Sequence, residues 1–132
     1  MSYYSQWGGP LSNVEKTIAI VANDFDFSVA IAETAYPNAM TAPTKQVLDA
    51  SKAGLAGFAI STSGQAAYAT KSCAVLRSSA GTKSLGVWWW EGFSPNKAKL
   101  QDELGASFIS SSSLVTLAGR ANAAMLALGK CK

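Results

Sequence analysis

The stretch FDFSVAIAE, residues 25–33, alternates: Phe25, Phe27, Val29 and Ile31 fall on one side, and Asp26, Ser28, Ala30 and Ala32 on the other. A period of two is the pattern of a half-buried strand, so this segment constrains the fold more than any other. Thr17 to Ala22, rich in β-branched residues, precedes it, and Asn23-Asp24 between the two supplies turn chemistry. The pair predicts an antiparallel hairpin with Phe25 to Glu33 as its second strand. A second hairpin is expected from Gln65 to Arg77 and Thr82 to Trp90, turned by Ser78-Ser79-Ala80-Gly81.

Helical signals separate and follow these strands. Pro43 introduces a helix from Thr44 to about Ala53, with Val47, Leu48 and Leu55 on one side. Ser94-Pro95 opens another in the order hydroxyl cap, then proline, and Leu100, Leu104 and Phe108 recur along it at intervals of four. Ser113 then caps a last helix striped by Leu114, Leu117, Ala118, Ala121, Met125 and Leu128 and closed by Gly129. The expected fold class is therefore α+β: an antiparallel β-sheet built from hairpins, helices over one face, and two helices at the C-terminus. The length of 132 residues suits a single domain, 1–132. It divides into an aromatic N-terminal segment (1–13), a sheet with one inserted helix (14–93) and C-terminal helices (94–130).

Only 14% of the residues are charged, while 23 are Ala and 17 Ser, so the surface is expected to be neutral and prone to association. The net charge of +3 is mild and forms no basic arm. Cys73 lies in an apolar run and Cys131 is next to last between two lysines, settings different enough to argue against a disulfide and for a reducing compartment. No run of apolar residues is long enough for a membrane span, and Met1 to Pro10 lacks the basic start and apolar core of a secretory signal.

Chemistry is sparse. The chain has no histidine, which removes the commonest general base and metal ligand. Asn23, Asp24 and Asp26 read as turn residues, since two carboxylates do not specify a cation cage. Cys73, flanked by Ala74-Val75-Leu76, reads as buried rather than nucleophilic. No catalytic residue, metal, cofactor or small-molecule substrate is expected. What stands out is Trp88-Trp89-Trp90: in a strand, Trp88 and Trp90 share one face and Trp89 takes the other. With Trp7 they are candidate interface or stacking residues. Lys71, Arg77 and Lys83, on the second hairpin, could meet phosphates.

The segment Ser72-Cys73-Ala74-Val75-Leu76-Arg77-Ser78-Ser79-Ala80-Gly81-Thr82-Lys83, with the strand after it, resembles a sheet hairpin of the coat proteins of small single-stranded RNA phages. The chain is also similar to that family in size, in lacking histidine, in low charge and in ending on two helices. The resemblance implies a dimer with a continuous sheet, assembled into a shell that binds RNA, with Lys71, Arg77 and Lys83 as RNA contacts. It makes the chain a non-catalytic, self-assembling structural subunit, a homo-oligomer located in a virion or the cytoplasm. Gly86-Val87-Trp88 through Phe93-Ser94-Pro95 resembles the last strand and final helix of profilins, which implies instead a monomeric module binding proline-rich peptide, with Trp7 and Tyr4 as contacts. A histidine-free enzyme is the third alternative. Solution mass would separate these readings.

Overall fold

The computed structural model describes residues 1–40, 44–45, 57–90, 92–93, 112–116 and 118–131. Within them the elements are α1 (Ser5–Gly8), α2 (Leu11–Ala19) continued by a π-helical turn (Ile20–Asp24), β1 (Val29–Thr34), α3 (Thr62–Ala80), a 3-10 turn (Gly81–Lys83), β2 (Ser84–Trp89) and α4 (Ala123–Leu128). The helices expected over 44–53 and from Ser94 onward lie almost wholly outside the described residues.

The sheet overturns the expectation of antiparallel hairpins: β1 and β2 are parallel. On the other edge of β1, Ser2 makes a parallel bridge to Glu33. There the Met1 ammonium donates to the Ala30 carbonyl at 2.9 Å, Ala32 N–H to Met1 at 2.8 Å and Tyr3 N–H to Glu33 at 2.8 Å. Three parallel segments thus lie side by side with β1 in the middle, the first followed by α1 and α2 and β1 by α3. Parallel neighbours need a crossover rather than a tight turn, and here α2 and α3 provide the crossovers.

Residues 17–22, expected as a strand, are the end of α2 and its π-helical continuation. Their β-branched composition is outweighed by spacing: Leu11, Val14, Ile18 and Ala22 recur every three or four residues and are all buried. Gln65 to Arg77, expected as the first strand of a hairpin, belongs to α3. The Ser61 hydroxyl caps this helix by accepting from Gly64 N–H at 3.0 Å. Its buried face runs Gln65, Tyr68, Ala69, Ser72, Cys73, Leu76 and Ala80, a helical spacing hidden from a hydropathy reading because several members are polar or small. The last helix starts at Ala123 rather than near Ser113. Its cap is Asn122, whose side-chain oxygen accepts from Ala124 N–H at 3.0 Å and Met125 N–H at 3.1 Å.

The main core lies between the sheet and α2 and α3, where Val14, Ile18, Val29, Ile31, Tyr68 and Leu76 are buried together. A smaller cluster joins Ala69, Leu114 and Ala124, with Trp89 packed against it. A disulfide between Cys73 and Cys131, with Cα atoms 5.5 Å apart, ties α3 to the residues after α4 and overturns the expectation of two free thiols. Their different sequence surroundings converge because α3 and α4 pack against each other.

Candidate active site

Parallel strands all end on the same side, and at the C-terminal ends of these three sit Tyr4, Glu33 and Trp90. The register of the strands aims Glu33. Ile31 pairs with Val87, but the next pair is Thr34 with Trp89, so β1 carries one residue more than β2 across this step. Such a bulge lets Ile31 and Thr34, three residues apart, both bury on the helix side and turns the carboxylate of Glu33 off the strict alternation. Glu33 is half-buried and accepts a long hydrogen bond, 3.4 Å, from the Tyr4 hydroxyl. Tyr4 in turn meets Trp7 edge to face, ring centres 5.3 Å apart.

The floor under Glu33 is tied together by hydrogen bonds and a ring stack. The Thr34 and Tyr68 hydroxyls are hydrogen-bonded at 2.7 Å, Trp90 N–H donates to the Thr34 carbonyl at 2.8 Å, and the Tyr36 hydroxyl donates to Phe58 at 2.6 Å. The Tyr36 and Tyr68 rings stack at 4.5 Å. Burial pushes the Tyr36 phenol up to about 12 and Tyr68 further still, so both remain neutral hydroxyls at any physiological pH.

Trp88, Trp89 and Trp90 divide as a strand requires, while Trp7 lies in α1. Trp7, Trp88 and Trp90 are 65%, 53% and 43% exposed. Trp89 turns the other way: its indole N–H donates to the Ser112 carbonyl at 2.8 Å and its ring meets Tyr68 edge to face. Trp7 and Trp90 thus stand at the strand ends, Trp88 on the uncovered sheet face, and Trp89 in the packing beneath.

The three cations proposed to meet phosphates are not brought together as one patch. Lys71 and Arg77 are exposed on α3, not on a hairpin. Lys83 lies at the opposite, N-terminal end of the strands, where it donates to the Ala22 carbonyl at 2.6 Å and pairs with Asp26. That pairing, through the hydrogen bond first and the charge second, lowers the Asp26 carboxyl below the usual range. No group of His, Cys, Asp or Glu among the described residues could hold a metal ion. Glu33 was not singled out in the sequence, because nothing there says that the strand it ends is parallel to its neighbours.

Parallel strands alternating with helices, with a carboxylate and aromatic rings at the strands' C-terminal ends, are the arrangement of part of a βα-barrel. The sequence profile of glycosyl hydrolase family 53 matches residues 1–128, and the chain belongs to that family. No curated protein matches it. Among solved structures, the GH53 catalytic domain of Ignisphaera aggregans superimposes with a TM-score of 0.76 at 18% identity over 96% of this chain. This chain spans 36% of the length of that domain.

These findings correct the functional expectation. The resemblance to RNA-phage coat proteins is overturned, and with it the reading of the chain as a non-catalytic structural subunit of a capsid or virion. The profilin-like alternative has no support either. The coat-protein likeness rested on a segment taken for a hairpin that is a helix, a 3-10 turn and a strand in a parallel sheet. Of the expected location, what stands is that no helix among the described residues is long and apolar enough to cross a membrane.

Proposed function

We propose that the chain supplies strand ends of a glycoside hydrolase active site, with Glu33 as one of the two carboxylates that hydrolyse the glycosidic bond. The observation that carries this is the position of Glu33: among the described residues it is the only acidic side chain at the C-terminal ends of the parallel strands, the end at which βα-barrel enzymes place their chemistry. The other described acids, Glu15, Asp24 and Asp26, lie in α2 or between it and β1.

Glycosidases of the common type pair a protonated acid with an ionised carboxylate that is a nucleophile or a base. The Tyr4 hydroxyl, donating to one oxygen of Glu33, helps to fix the direction in which the carboxylate faces the strand ends, and the other of the two roles falls to a second carboxylate. That partner is to be sought about 5–9.5 Å away, at the strand ends of the barrel beyond the portion this chain matches. The exposed rings of Trp7 and Trp90 offer flat apolar faces against which a sugar ring can stack. The Cys73–Cys131 disulfide favours action in an oxidising compartment.

The test is Glu33→Gln, assayed on a panel of plant and microbial glycans. Hydrolysis should fall at least about 1,000-fold while glycan binding, followed by tryptophan fluorescence, persists. Undiminished turnover in the variant would exclude Glu33 from the chemistry.

A further inference from the structure

Beneath the strand ends a single buried amide joins the loop that follows β1 to the segment that returns after β2. The Gln65 side-chain NH2 donates to the Tyr36 carbonyl at 2.8 Å and the Ser112 carbonyl at 3.0 Å, with Ser113 as a third acceptor at 3.4 Å. Its oxygen accepts from the Asn122 side chain at 2.8 Å. Asn122 donates also to Ser113 at 2.9 Å, and its own oxygen caps α4. Gln65 is fully buried and all its polar atoms are engaged. The orientation of both amides follows from their surroundings: nitrogens face only acceptors, and the Asn122 oxygen faces only N–H donors.

We infer that Gln65 is a positioning residue for Glu33, an inference that rests on the glycosidase reading above. Tyr36 is three residues after Glu33, and Thr34 is next to it. The first turns of α3 hold both: Gln65 the Tyr36 carbonyl, and Tyr68, one turn on along the same face, the Thr34 hydroxyl. The other arm of Gln65 holds Ser112, whose carbonyl also receives the Trp89 indole N–H of β2. Gln65 therefore sets the distance between the loop that directly follows the Glu33 strand end and the wall that carries Trp90. It reaches neither strand end itself. A carboxylate in either role tolerates displacement of only about 0.5 Å, so slack in this link is felt in turnover before it is felt in binding.

The test compares Gln65→Met with Gln65→Glu, with kcat expressed per folded molecule from urea titrations. Methionine keeps the shape and loses every hydrogen bond. It should lower kcat on the order of 10- to 100-fold and leave KM within about threefold, because Trp7 and Trp90 are untouched. Glutamate at this site is held protonated by burial and by the surrounding carbonyls. It can then donate to Tyr36 and accept from Asn122, so it should restore most of kcat in mildly acidic solution. It should lose that rescue as pH rises, adding a basic limb absent from the parent profile. Should Gln65→Met fold poorly, Tyr68→Phe, which releases only the Thr34 clamp, should give the same kcat-selective loss. Parent-like kcat in folded Gln65→Met or in Tyr68→Phe, or losses confined to KM, overturn the positioning role alone. A parent protein that cleaves no glycoside overturns the glycosidase reading and this role with it.

Discussion

Three tyrosines show how single side chains set the working range of this fold. Burial pushes the Tyr3 and Tyr36 phenols up to about 12 from an ordinary 10.0, and raises Tyr68 further. Each is neutral in the folded chain where the unfolded chain would already have ionised it. Their contribution to stability is therefore complete below pH 10 and is lost as the pH climbs through the folded values. Alkaline titration should give unfolding that begins above about pH 10, with tyrosinate absorbance appearing in step with the loss of circular dichroism. Phenols that ionise near their ordinary value while the protein stays folded would contradict the burial of all three. At this scale the sequence was partly legible. The alternation of Trp88, Trp89 and Trp90 follows from strand geometry alone, and the indoles sort that way. Glu33 was not legible, because its direction depends on a bulge created by pairing with β2, a partner more than fifty residues away.

Elements were harder to read than side chains, and α3 shows why. A hairpin was expected where a helix of 19 residues forms. The buried face of α3 includes Gln65 and Ser72, satisfied by the Tyr36 and Tyr68 carbonyls among others, so polarity along the sequence does not mark the exposed side. The entry to this helix is sterically closed around Gly64. A Cβ there would lie 1.9 Å from the carbonyl oxygen of Ala59, a contact only backbone movement can relieve. Gly64→Ala should therefore destabilise by about 1–3 kcal/mol, reversing the gain of about 1 kcal/mol that alanine brings to an unconstrained helix position. Thermal melting of the variant measures the sign directly, and a rise in Tm would mean that the 59–64 turn yields freely.

For the whole molecule, closure of the chain on itself matters most. The disulfide joins residues 58 apart in sequence. In the chain-entropy view, closing a loop of that size is worth about 4 kcal/mol, with measured values commonly about 2–4. Cys131→Ser should lower unfolding free energy by that amount in urea and release the residues after α4 to proteolysis, whereas an unchanged midpoint would show that α3 and α4 hold together without it. A parallel sheet is ordinarily covered on both faces. Here α2 and α3 cover one, while Leu85 and Trp88 of β2 remain exposed, in keeping with a chain that spans 36% of the solved barrel domain it superimposes on.

By itself the sequence determined the local signals: strand character within Phe25 to Glu33 and Thr82 to Trp90, where the structure has Val29–Thr34 and Ser84–Trp89, and the division of Trp88, Trp89 and Trp90 between two faces. These depend on backbone period and on residues adjacent in the chain. The tertiary structure decided that the strands run parallel, that Gln65 to Arg77 is helical, that Cys73 meets Cys131, and that Glu33 stands among aromatic rings at the strand ends. Each of these depends on contacts between residues far apart in sequence, and no local propensity encodes which distant segment will supply the contact.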